Sequence, residues 1–181
     1  MGMTVSVPRY TVADLERFPD DGNRYELLDG VLIVTPSPSH AHQIIANRLQ
    51  FRLTQAVVVP GDGQVVGPGA ITLLPKTQLE PDILVYPSGY GLELNWEEID
   101  EHWLAVEVLS RSSKVYDREM KRDAYIALGV REVWLVDWRN KELEVSRARG
   151  PGRIFRDVLR WHMPTSPLEV EISLMEVFAG L

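Results

Sequence analysis

A chain of 181 residues with a net charge of −7 and no cysteine is long enough for one well-buried domain and short for two, and it offers neither a disulfide framework nor a thiolate metal site. Hydrophobic content of 45% and charged content of 25% are those of an ordinary globular protein. No apolar run approaches the ~20 residues of a membrane span and the opening MGMTVSVPRYTVADLERF lacks the basic-then-apolar order of a secretory signal, so the expectation is a soluble, cytoplasmic protein forming one domain over residues 1–181.

From Thr11 to Phe18 the sequence predicts a short helix, with Thr11 as N-cap and Asp14 at the capping-box position. Asp29-Gly30 then stands between two apolar segments of the stretch Arg24 to Val34, the pattern of a tight hairpin whose two turn residues accept positive φ. Pro36-Ser-Pro-Ser39 breaks that strand. Ser39 can cap a helix from about His40 to Val57, with Ile44, Ile45, Leu49 and Leu53 as its buried stripe. Two strands are expected next, Gln64 to Leu74 and Pro81 to Tyr86, separated by Pro75-Lys-Thr-Gln. Trp103 to Leu109 is the most strand-like run of the chain. A helix starting at Ser112 or Ser113 and running to about Leu128 follows it, stopped by Gly129. Val133 to Asp137 reads as another buried strand, Leu143 to Arg147 as the next, and Arg153 to Arg160 as a strand-like continuation. Strand, helix and strand over residues 103–137 make a βαβ unit, which requires a parallel pairing. The fold class is α/β, built on a central mixed sheet.

Charge is spread unevenly. Between Arg139 and Arg160 seven basic residues face three acidic ones, a net of +4 that leaves −11 for the remainder. An acidic body with a basic flank suits a protein that gathers cations in one place and phosphate in another; a solvated strand surface would give the same count.

Two carboxylates stand where strands should be apolar: Asp82 at the head of Ile-Leu-Val-Tyr, and Glu107 inside Leu-Ala-Val-Glu-Val-Leu. Burying an unpartnered carboxylate costs several kcal/mol. Glu107 therefore needs an ion, a base or a water-filled cleft, unless an arginine pairs with it or its face is exposed. On the following helix Asp117, Lys121 and Tyr125 share a face at i, i+4, i+8. Packed back over its parent strand, that helix could aim Lys121 at Glu107; the plainer reading of Lys121 is an exposed ion pair with Asp117, which contributes little. Two carboxylates can hold a hard divalent ion such as Mg2+, which acidifies a water and offsets phosphoryl charge.

Pro81-Asp82, Glu107-Val-Leu-Ser110, Tyr116 to Tyr125 and Gly129 to Asp137, preceded by Arg24 to Gly30 and Pro36 to His40, together resemble the Uma-two family within the restriction-endonuclease-like PD-(D/E)XK superfamily. The resemblance spans Tyr10 to Arg147. It implies a central mixed sheet flanked by helices and a metal-dependent endonuclease acting on DNA, with Asp82 and Glu107 binding Mg2+ (Mn2+ as substitute) and Lys121 assisting catalysis. The superfamily's lysine usually stands two positions after the glutamate, here Leu109, so Lys121 would replace it from the helix; the proline common after the serine of that motif is here Arg111. The opening motifs place Glu26 and His40 at the border of the metal cleft, Glu26 to bind metal through water or to orient Lys121, His40 to contact phosphate or move a proton. Glu26 could equally anchor the hairpin through an arginine, and His40 could merely begin its helix. His42, His102 and His162 form no metal-ligand spacing, and Tyr125 reads first as core. A homodimer is expected, because cleaving both strands favours two sites. The competing reading is a nuclease fold with little or no turnover that serves binding or assembly.

Overall fold

In the computed structural model, residues 8–110, 117–164 and 169–181 are described; Arg111, Ser112 and Ser113, and with them the expected helix start, lie outside them. Thr11 and Asp14 form a capping box at helix α1, Val12–Leu15. Strands β1 (Arg24–Leu28) and β2 (Val31–Thr35) pair antiparallel with Leu28 opposite Val31. Asp29 and Gly30 make the turn at φ of 50° and 79°, the conformation a two-residue hairpin demands.

Helix α2, His40–Leu53, begins where the Ser39 side chain accepts the His42 N–H. A π-helical turn, Thr54–Val58, extends it, so helical structure ends close to the expected Val57. Its buried side is His42, Ile45, Ala46, Leu49 and Leu53; Ile44 lies at the margin.

The expected strand Gln64 to Leu74 divides into β3 (Gly63–Val66) and β4 (Ile71–Leu73), which belong to different sheets. The break falls at Pro68, whose nitrogen has no hydrogen to donate to a ladder. Thr77–Leu79 forms β5, which fills the expected polar separator and joins β1 to β4. Strands β6 (Ile83–Pro87), β7 (Leu104–Val108), β8 (Glu132–Asp137), β9 (Glu142–Ser146), β10 (Arg153–Phe155), β11 (Val158–His162) and β12 (Glu169–Ser173) complete the sheets. The central sheet has the order β10-β9-β8-β7-β6-β3. Within it β7 and β8 run parallel, Glu107 opposite Leu135, and the other pairs are antiparallel. The βαβ inference from residues 103–137 therefore holds. Beside it stand a four-stranded sheet, β2-β1-β5-β4, and a β11-β12 ribbon, neither of which the sequence announced; Arg153 to Arg160 passes from one sheet to the other.

Side chains of successive strand residues point to opposite faces, and the central sheet uses this to separate two cores. Leu104, Val106, Val108, Trp134 and Val136 pack with Ile45, Leu49 and Leu53 of α2 on one side. Ala105, Leu109, Val133 and Leu135 pack with Ala124 and Tyr125 on the other. Ala124 and Tyr125 lie on helix α3, Arg122–Ala127, which follows a π-helical turn, Asp117–Lys121. Gly129, at φ 90°, ends this helix in the left-handed conformation that glycine adopts without steric cost. A last short helix, α4 (Leu174–Val177), closes the first core. Glu107 shares a face with Ala105 and Leu109. It is therefore directed into the space between the central sheet, α3 and the β1-β2 hairpin.

Much of the basic flank is neutralised locally. Arg147 pairs with Glu132 at 2.6 Å, Arg156 with Glu142 at 2.9 Å, and Arg160 lies 3.4 Å from Glu171.

Candidate active site

The residues singled out in the sequence lie far apart along the chain, and the topology gathers four of them. Glu26 comes from β1, Asp82 from the residue before β6, Glu107 from β7, and Lys121 from the π-helical turn before α3. All are buried: Glu26 is 0%, Asp82 8%, Glu107 4% and Lys121 2% exposed. The Lys121 ammonium lies 2.8 Å from Glu26 Oε2 and 3.2 Å from Glu107 Oε1. Glu26 Oε1 accepts the Glu80 backbone N–H at 2.7 Å, which fixes that carboxylate between the two sheets. Lys121 is buried, not exposed on the helix surface as the plainer reading had it.

His40 is not brought in. It occupies the first, exposed turn of α2. His42, two residues later, is buried and places Nε2 3.2 Å from Asp82 Oδ2. The helix phase carried this information: His42 stands three residues before Ile45 and seven before Leu49, on the stripe that faces the core. Two more participants were weakly legible. Arg24, in the hairpin motif, puts NH1 3.2 Å from Asp82 Oδ1. Tyr125 is fully buried among apolar side chains, as a core residue would be, yet its hydroxyl donates to Glu107 Oε1 at 2.5 Å.

Asp82 is thus held from three directions, the third being the Val108 backbone N–H at 2.8 Å. Burial by itself would raise its carboxyl pKa. The hydrogen bond and charge of His42, the Arg24 guanidinium and the Val108 amide outweigh that and hold it below the ordinary carboxylate value. Burial acts against the Arg24 cation, but Asp82, Glu107 and Glu26 together raise its pKa. The Tyr125 hydroxyl is driven well above its usual range, first by burial and then by the charges of Glu107 and Glu26. It therefore stays protonated at neutral pH, a donor to Glu107.

Asp82, Glu107, Lys121, Arg24 and His42 line one cavity of about 200 Å³, walled by the 36–39 loop and reached by Ser110 and Arg139. Among the described residues no group of three or more His, Cys, Asp or Glu side chains is arranged to hold a metal ion. Two carboxylates facing a polar cavity nevertheless fit an ion that prefers oxygen ligands and retains several waters, as Mg2+ does. The arrangement offers anionic oxygens for a cation, an ammonium beside them, and a guanidinium at the edge.

A family profile, Uma2, described as "Putative restriction endonuclease", matches residues 12–179. Among solved structures, the chain is similar to a putative nuclease belonging to DUF820 from Anabaena variabilis ATCC 29413, with a TM-score of 0.74 at 18% identity, over 93% of this chain and 97% of that one. At that identity the likeness establishes the fold, with its central mixed sheet. Comparison with curated proteins gave no match.

Proposed function

Since the chain belongs to the Uma2 putative restriction endonuclease family, we propose that it is a metal-dependent endonuclease that hydrolyses phosphodiester bonds in DNA. The observation that carries this reading is the convergence of Asp82, Glu107 and Lys121 on one cavity from three separate elements. Asp82 and Glu107 hold Mg2+, or Mn2+ in its place. The ion, when bound, acidifies a water and offsets negative charge on the phosphoryl oxygens.

The protein's own groups prepare that centre. Glu26 and Glu107 together orient the Lys121 ammonium, which donates hydrogen bonds to the attacking water and stabilises charge growing in the transition state. Tyr125 fixes Glu107 Oε1, and Arg24, His42 and the Val108 N–H fix Asp82. Such restraint matters because a misplacement of about 1 Å can cost ~100-fold in rate. His42 takes over the border position expected of His40, close enough to Asp82 to orient it.

The test is cleavage of plasmid and oligonucleotide DNA with Mg2+ or Mn2+. Wild type cleaves; Asp82→Ala and Glu107→Ala do not, and Lys121→Ala loses at least about 100-fold. Equal trace activity in wild type and Asp82→Ala would mean a contaminating nuclease and would end the proposal. Glu26→Gln keeps the shape of the Lys121 contact but removes its charge, and reduced kcat with little change in KM is expected. None of the described helices is long and apolar enough to cross a membrane, and we place the enzyme in the cytoplasm. It acts as a homodimer, which aligns two such cavities on two strands; light scattering that finds only monomer at micromolar concentration counts against that arrangement.

A further inference from the structure

We propose that Arg139, seated on the Trp138 ring, is a clamp for a backbone phosphate of the nucleic-acid substrate. This rests on the nuclease reading above and adds to it a residue that neither the motifs nor the fold singled out.

The topology explains its place. Because β7 and β8 run parallel, their carboxyl ends lie at the same end of the sheet. Glu107 is level with Leu135, and β8 ends two residues later at Asp137. The β8-β9 turn therefore projects just beyond the carboxylates, and Arg139 reaches the cavity that Asp82 and Glu107 line. Asp137 tightens this turn, accepting hydrogen bonds from the Asn140 backbone at 3.3 Å and side chain at 2.8 Å.

The partners of Arg139 set it apart from the other cations of the cavity. Arg24 and His42 are each held by Asp82, and Lys121 by Glu26 and Glu107. Among the described residues Arg139 makes no hydrogen bond or ion pair. Its guanidinium carbon lies instead 4.2 Å from the centroid of the Trp138 ring, and Trp138 is itself packed against the core. Stacking restrains the guanidinium plane while leaving its N–H edge free. That edge matches two phosphate oxygens bidentately. The two carboxylates of the cavity engage its other cations, Arg24, His42 and Lys121, so Arg139 is the lining cation whose charge is left for an incoming phosphate. Of the other arginines of the basic flank, Arg147, Arg156 and Arg160 are tied to glutamates, and neither Arg149 nor Arg153 lines this cavity.

The experiment measures binding of a fluorescein-labelled DNA duplex over a salt series in Ca2+, then cleavage in Mg2+. Arg139→Ala should weaken binding about tenfold and lower the slope of log affinity against log salt by about 0.9, the share of one phosphate contact. KM should rise more than kcat falls. Arg139→Lys should keep the slope but recover only part of the affinity, because an ammonium neither stacks nor forks. Trp138→Leu should give a smaller loss in the same direction. Arg52→Ala is the charge control, since Arg52 pairs with Glu176 at the far end of α2, and it should leave affinity and slope unchanged. The clamp is overturned if Arg139→Ala matches wild type, if Arg52→Ala lowers the slope equally, or if wild type does not bind the duplex. Binding that depends on Arg139 without Mg2+-dependent cleavage would remove the catalytic reading and leave the clamp standing. Cleavage with a KM that Arg139→Ala does not move would do the reverse.

Discussion

Lys121→Met removes the ammonium from between Glu26 and Glu107 while keeping a side chain of similar length. The lysine is 2% exposed, and the carboxylates it separates are 0% and 4% exposed. Losing one partner of a buried ion pair leaves uncompensated charge and costs about 3–5 kcal/mol. For a domain of this size each kcal/mol shifts Tm by about 2–4 °C, so a fall of about 6–20 °C is expected. Glu26 retains the Glu80 amide and Glu107 the Tyr125 hydroxyl, which argues for the lower half of that range. Urea titration gives the free energy directly, and calorimetry the Tm. Adding Glu26→Gln to Lys121→Met removes one of the stranded charges, so the double variant should be more stable than Lys121→Met alone. A loss under about 1 kcal/mol for Lys121→Met, or simple additivity in the double variant, would mean that the ammonium is solvated and the buried cluster is not held by charge.

Two further outcomes concern the scaffold. His102 is 4% exposed with no hydrogen-bond partner on either ring nitrogen among the described residues. Burial pushes its pKa below the ordinary 6.5, against the opposing charge of Asp100. The unfolded chain therefore takes up this proton first, and stability falls as pH drops from about 6.5 towards the lower folded value; Tm measured across that window should decline more steeply in wild type than in His102→Gln, and parallel curves would refute the assignment. Gly30 stands at φ 79° with a Cβ position 3.0 Å from the Tyr10 carbonyl oxygen. Gly30→Ala should cost about 1–2 kcal/mol in urea titration, whereas an unchanged midpoint would show that the hairpin turn can relax.

Local signals that act within a few residues were legible in the sequence. Asp29-Gly30 specified its turn, Ser39 its helix, and the apolar run around Glu107 its buried strand, because each depends on near neighbours. Sheet membership was not legible. β3 and β4 look like one strand in sequence, and so do β10 and β11, since alternation records which faces are buried but not which strand lies alongside. The site divides in the same way. Asp82 and Glu107 could be singled out because carboxylates in apolar runs are costly, and Lys121 because its helix follows the Glu107 strand. Tyr125 was read as core, and its ring is indeed buried among apolar residues; only the contact of its hydroxyl with Glu107 reveals more. His40 was preferred over His42 on its motif, while the stripe of Ile45 and Leu49 favoured His42. Arg139 stood out only as one of the seven basic residues of the flank, because its stacking on Trp138 matters only once the parallel strands bring that turn to the cavity.

Lys121 stands on the turn before α3, and not on the Glu107 strand, which also bears on the order in which the chain is made. Had it stood two residues after Glu107, at the position of Leu109, acid and base would have been carried by a single strand. Here Leu109 is a buried apolar residue, 1% exposed, and the ammonium arrives from a later element. During synthesis Glu26 and Glu107 emerge first, and Lys121 joins them only when its helical turn docks on the sheet. A chain ending before Lys121 thus carries Glu26 and Glu107 without the ammonium that lies between them. The buried charges of Glu26 and Glu107 are balanced by Lys121 only once the later element has docked.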